Sequence, residues 1–171
     1  AQAIRRPDGS VDSILTIVED ISERIAAEKA VRASEERLRR LGDNLPDSYL
    51  FQCRAGPDGH LQFTYLSSGV AQVHGMPAEE ILAGTAPLFG SVDPAHLPGL
   101  RQAIADSDRE QSDFQQEFRV RRPDGTWCWL QVRSRPRRQP DGKSEWDGVA
   151  TDITARRESE ALLDQQTRRA H

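Results

Sequence analysis

Residues Phe114 to Thr154 read FQQEFRVRRPDGTWCWLQVRSRPRRQPDGKSEWDGVATDIT, and their periods decide the fold. The first limb alternates, with Phe114, Phe118 and Val120 on one side and Gln115, Glu117, Arg119 and Arg121 on the other. Pro123-Asp124-Gly125 is a turn, because proline presets φ, aspartate bonds its own backbone and glycine accepts the left-handed position. The second limb sends Cys128, Leu130, Val132 and Ser134 one way and Trp127, Trp129, Gln131 and Arg133 the other. A second turn, Pro140-Asp141-Gly142, leads to a third limb from Trp146 to Thr151. After Asp152-Ile153-Thr154 the period becomes helical. An antiparallel meander with one apolar face cannot stand alone, so the rest of the chain must cover it.

Working outward, the pattern F-R-x-R-R-x-D-G-x-x-x-W, a second D-G and G-V-A-T-D-I-T resembles the C-terminal half of a PAS sensor domain. The resemblance continues through Phe63–Ser67, His74–Leu82 and Val92–Leu97, and covers residues 45–155. It implies an α+β fold in which a five-stranded antiparallel sheet carries short helices on one face. Local signs agree. Tyr49–Cys53 and Leu61–Leu66 read as strands around a Gly56–Gly59 turn. Gly69–His74 and Pro77–Leu82 read as short helices, and Asp93 caps a longer one from Pro94 to Asp106.

Upstream, Pro7-Asp8-Gly9, an apolar limb (Val11, Ile14, Ile17, Val18) and Asp20-Ile21-Ser22 repeat the closing motif of the meander. Residues 1–20 therefore resemble the last hairpin of a preceding domain of the same kind, with Val11–Val18 as its strand. Residues 21–44 read as a connecting helix rich in Ala, Glu, Arg and Lys. Its seam of Ala27, Val31, Ser34, Leu38, Leu41 and Leu45 steps alternately by 4 and 3, the spacing of a coiled coil. The seam either lies on the sheet of its own domain or pairs with a second copy in a parallel coiled coil, and the expected arrangement is a homodimer through this helix; residues 156–171 open an outgoing helix.

With 171 residues, 36% apolar and 29% charged, the chain suits one domain with extensions. A net charge of −4 gives no reason to expect nucleic acid. No apolar run is long enough to span a bilayer, and two distant cysteines make neither a disulfide framework nor a zinc spacing. The expected setting is cytoplasmic. Without a leading Met, the chain reads as a piece of a longer protein.

No nucleophile–base motif or phosphate-binding glycine loop is present, so no enzymatic role is expected of this segment. The four histidines (His60, His74, His96 and His171) read as ordinary surface or half-buried residues. Flavin-binding members of the superfamily place amides on the inner sheet face and a reactive cysteine in the helical segment. Here the matching inward positions are Val120, Leu130, Val132 and Ala150, and both cysteines lie on strands. Haem-binding members present a histidine from the long helix, and His96 comes before it is under way. Neither cofactor is expected.

What remains is an apolar cup of Phe114, Phe118, Val120, Leu130, Val132 and Ala150, closed by Phe63, Ile81 and Leu100. It is either a filled core or a pocket for a small apolar ligand. On the outer face, Trp127 and Trp129 should be covered, by helix 22–43 or by a second copy. Tyr49 or Phe51 and Trp146 are expected beside them. The resemblance implies a sensory relay of a two-component or related signalling protein, with a covalently linked histidine kinase, diguanylate cyclase or phosphodiesterase as output. Asp152, Ile153 and Thr154, with Asp20 and Ile21 upstream, would be the transmission joints. The alternatives are a passive dimerisation spacer and a haem or flavin sensor.

Overall fold

A computed structural model describes residues 12–56, 60–84 and 88–170, with side chains from residue 17 onward. The chain forms two units that divide after Leu41.

The first unit is helical. Helix α1 runs from Asp12 to Asp43 without a break, and every side chain from Ile17 to Leu41 is exposed. This corrects the expected strand over residues 11–18: from Asp12 onward the chain is helix. The apolar residues explain the change, since Ile14, Ile17 or Val18, Ile21 and Ile25 also recur at helical spacing. A closing strand without sheet neighbours has nowhere to place its backbone hydrogen bonds, whereas a helix satisfies them internally. The Pro7-Asp8-Gly9 turn lies outside the described residues. Asp20 and Ile21 fall inside α1, with Ile21 exposed.

The second unit is an α+β fold. Strands β1 (Ser48–Ala55), β2 (Leu61–Leu66), β3 (Phe114–Arg121), β4 (Trp127–Arg138) and β5 (Ser144–Asp152) form one antiparallel sheet in the order β2-β1-β5-β4-β3. Helices α2 (Gly69–His74), α3 (Ala78–Leu82) and α4 (Leu97–Glu110), with a 3₁₀ turn over Leu88–Ser91, lie between β2 and β3 in sequence. Helix α5 (Thr154–Arg169) follows β5. The two turns of the meander carry Gly125 at φ 89° and Gly142 at φ 83°, where a side chain would be strained. Residues 57–59 of the expected first turn lie outside the described residues.

Alternation works as expected on β4: Cys128, Leu130, Val132 and Ser134 are buried, while Trp127 is exposed and Trp129 half-buried. The long helix starts later than expected, at Leu97, because Asp93 spends its carboxylate on the Ala95 N–H at 3.0 Å. The edge of β3 is pinned by this loop: Asp93 N–H donates to Arg119 O, and Arg119 N–H donates to His96 Nδ1.

Two expected placements are wrong. Tyr49, Phe51 and Trp146 lie on the inner face, buried to 4%, 8% and 4% exposure, and not beside the outer tryptophans. Register explains it. Tyr49 pairs with Ala150 and Cys53 with Trp146, so their side chains share the phase of the buried Ala150.

Candidate functional site

The inner sheet face and the helices enclose a cavity of about 80 Å³. Seven of the nine expected cup residues line it: Phe63, Leu100, Phe114, Phe118, Val120, Leu130 and Val132. Ile81 and Ala150 are buried but do not line it. Tyr49, Phe51, Cys53 and Trp146 join the wall, as do Val92 and, from a segment the sequence left undefined, Leu88 and Phe89. The mostly apolar walls offer dispersion contacts to an apolar guest.

Its polar side chains are Tyr49, His74, Ser134 and the indole N–H of Trp146. Trp146 Nε1–H donates to Ser107 Oγ at 3.0 Å, and Ser107 in turn donates to Ser112 O at 2.7 Å. This ties the inner face of β5 to α4. Tyr49 Oη lies 2.7 Å from His74 Nε2, and both side chains are buried. His74 is thus neither a surface nor a half-buried residue. Burial, and then the Arg122 charge, pull its pKa down to about 4, so the imidazole is neutral at physiological pH. Burial likewise raises Tyr49 above the ordinary tyrosine range and pushes the Cys53 thiol up to about 12 and Cys128 to about 11, so neither cysteine is a thiolate nucleophile. Among the described residues, no group of three His, Cys, Asp or Glu is placed to hold a metal ion.

Beside the cavity sits the junction of β5 and α5. Asp152 Oδ1 accepts from Thr154 N–H at 2.9 Å and from the Thr154 hydroxyl at 2.6 Å. The second carboxylate oxygen pairs with Arg122 at 3.1 Å, and Arg122 Nε–H also donates to Val73 O at 2.8 Å, next to His74. Burial works against ionising Asp152, but the Thr154 bonds and Arg122 overcome it and hold the carboxyl below its usual range. The strand β4 grips the same junction: Trp129 N–H donates to Thr154 Oγ1, and Ile153 N–H donates to Trp129 O. Ile153 itself is buried. Asp152 N–H donates to Asp47 O at 2.8 Å, so the start of β1 meets the end of β5. The motif D-I-T signalled this junction and a basic partner for Asp152 was expected, but nothing in the sequence singled out Arg122 among the arginines, or pointed to Val73 or Asp47.

On the outer face the tryptophans lie under arginines. The Arg157 guanidinium, from α5, sits 3.7 Å over the Trp129 ring, and Arg119 sits 4.1 Å over Trp127. Arg157 also pairs with Glu117 at 2.8 Å. Within the second unit the cover comes from β3, from the outgoing helix α5 and from His96, whose ring lies 5.3 Å from that of Trp129. The seam residues Val31, Leu38 and Leu41 are all exposed. No helix among the described residues is long and apolar enough to cross a membrane.

A family model described as PAS fold matches residues 63–150, just over half the chain. The methyl sulfide methyltransferase-associated sensor of Methanosarcina acetivorans is 27% identical over 98% of this chain and 17% of its own. The chain spans less than a fifth of the length of the curated relatives it matches, 17% and 19%. Among solved structures, an RNA-binding light-oxygen-voltage receptor superposes with a TM-score of 0.59 at 25% identity, over 80% of this chain and 38% of that one. A sensory box histidine kinase/response regulator from Burkholderia thailandensis gives a TM-score of 0.53 at 20% identity, over 71% of this chain and 89% of that one, a likeness of fold alone.

Proposed function

The chain belongs to the PAS fold family, and from that premise we propose that it is a non-catalytic sensory relay, in which a small, mainly apolar ligand in the cavity changes the set of α5. One observation carries the reading: β4 is a wall shared by cavity and junction. Leu130 and Val132 line the cavity on one face of the strand, while the backbone of Trp129, the residue before Leu130, holds Ile153 and Thr154. A guest that displaces Leu130 displaces the seat of the outgoing helix. Arg122 adds a parallel link, from the carbonyl beside His74 to Asp152.

In this reading the output domain, a histidine kinase or a cyclic-dinucleotide enzyme, lies outside this chain and receives the shift through α5. Helix α1 brings in the state of a preceding PAS module, and Asp20 and Ile21 lie within that helix, on its path. Two copies pair through Val31, Leu38 and Leu41, whose exposure on a seam of heptad spacing supports a partner helix. The free buried thiols of Cys53 and Cys128 suit a reducing cytoplasm.

The test is Asp152→Ala in the full-length parent. Output should no longer follow input, while the isolated domain keeps its fold and loses about 0.5–2 kcal/mol from the lost cap. Normal signalling by that variant would rule the junction out. For pairing, Leu38→Glu with Leu41→Glu should give monomers in sedimentation; an unchanged dimer would place the interface elsewhere.

A further inference from the structure

Eighteen residues line the cavity, and none of them carries a formal charge at neutral pH. A guest with an ionised carboxylate or ammonium would lose its hydration there and find no counter-charge, a cost of many kcal/mol. The guest is therefore neutral. Its size follows from the 80 Å³ of free volume. At about 10–15 Å³ for each water-sized unit, that is room for roughly five to eight non-hydrogen atoms.

The wall is not uniformly apolar. Tyr49 and His74 satisfy one hydrogen bond between them, at 2.7 Å. A phenolic oxygen has a proton and two lone pairs. If Tyr49 donates to the imidazole, lone pairs on its oxygen remain; if it accepts, its O–H remains. Either tautomer leaves Tyr49, whose side chain lines the cavity, with unused hydrogen-bonding capacity on its oxygen, and a hydroxyl group, being donor and acceptor, can meet both cases.

We propose that the cavity takes a neutral, mainly apolar molecule bearing one hydroxyl group, and that the Tyr49–His74 pair reads that hydroxyl. The proposal deepens the reading of the cavity as a ligand site and rests on it. It also gives the pair a second role. His74 follows Val73, whose carbonyl holds Arg122, which holds Asp152. A hydroxyl that reorients His74 pulls on the same chain of contacts that seats α5.

Phenol and toluene test this, because they have the same size and differ only in hydroxyl against methyl. In an apolar cavity without a partner for the hydroxyl, toluene binds better, since burying an unpaired hydroxyl is costly. Titrated into the whole chain by NMR, phenol should bind at least as tightly as toluene. Tyr49→Phe should weaken phenol roughly tenfold and leave toluene as it was. Since Tyr49→Phe also strips His74 of its partner and can fail to fold, the Nε2 nitrogen resonance of His74 in the unaltered protein gives a second readout: phenol, by changing the hydrogen bond at that nitrogen, should shift it well beyond the small ring-current displacement that toluene causes. If both guests bind but phenol is the weaker, ignores Tyr49→Phe or shifts His74 Nε2 no more than toluene does, the hydroxyl-reading pair is overturned and the ligand site stands. If neither guest binds, the reading of the cavity as a ligand site falls, and this inference with it.

Discussion

The two faces of the sheet hold their large aromatic residues by different physics. On the inner face Trp146 is packed to 4% exposure, and its single N–H is met by Ser107. On the outer face Trp127 keeps 37% of its surface, and Arg119 lies over its ring instead. Inside, stability comes from area removed from water, roughly 25 cal/mol per Å². Outside, it comes from guanidinium groups over indoles, each contributing about 0.5–1 kcal/mol where water can reach them. The inner face is thus packed except at the cavity, whereas on the outer face α5 rests on the sheet by way of Arg157.

The strongest way to break this contrast is Leu130→Ala. Leu130 is 1% exposed and already borders a void, so truncation enlarges the cavity and should cost about 2–5 kcal/mol in urea unfolding. A loss below about 1 kcal/mol would mean that the inner face collapses freely and is no more constrained than the outer one.

Acid separates the faces next. His74 is held near pKa 4 in the folded chain, against 6.5 for the free side chain. Between these values the unfolded chain binds a proton that the folded chain refuses, so stability falls as pH drops from about 6.5 to 4, by an amount on the order of 3 kcal/mol. On the outer face, hydrogen bonding to Arg157 is the first cause holding Glu117 below its ordinary value of 4.5. Its contribution is present above that value and is lost only as pH falls further. Unfolding free energies measured along pH should therefore show a slope from the inner face first, and His74→Gln should remove it. An unchanged slope in that variant would assign it to other groups.

The smallest effect sharpens the outer side. Arg157→Ala should cost no more than about 1 kcal/mol, yet it should red-shift the emission of Trp129 and raise its quenching by iodide. If neither optical signal moves, Arg157 is not the cover.

The sequence was most legible where alternation met a turn. Phe118, Val120, Leu130 and Val132 each had one consistent phase, bounded by Pro-Asp-Gly, and all four line the cavity. It was least legible where a phase had to be carried from strand to strand. Tyr49 and Phe51 alternate cleanly, but alternation fixes two sets of residues and not which set faces inward. That was decided by the pairing of β1 with β5, between residues about a hundred positions apart. Nothing in the sequence paired His74 with Tyr49, because Tyr49 is 25 residues upstream and lies outside the stretch that begins at His74. Residues 12–18 mislead for a different reason: Ile14, Ile17, Val18 and Ile21 satisfy a strand-like repeat and a helical spacing together, and only a helix satisfies its backbone without sheet partners.

The hydrogen bond from Asp152 N–H to Asp47 O closes a circle in the covalent chain. A polypeptide that enters the sheet at β1 travels through all five strands and leaves from the place at which it arrived. For a longer protein the domain is a loop in the thread, adding mass and a compartment but almost no distance between what comes before and what comes after. Such a loop can be spliced in, doubled or removed without forcing its neighbours apart, since both cut ends lie side by side. Growth by insertion is then a question of keeping the pitch of the flanking helices, and the sheet itself imposes no spacing on them.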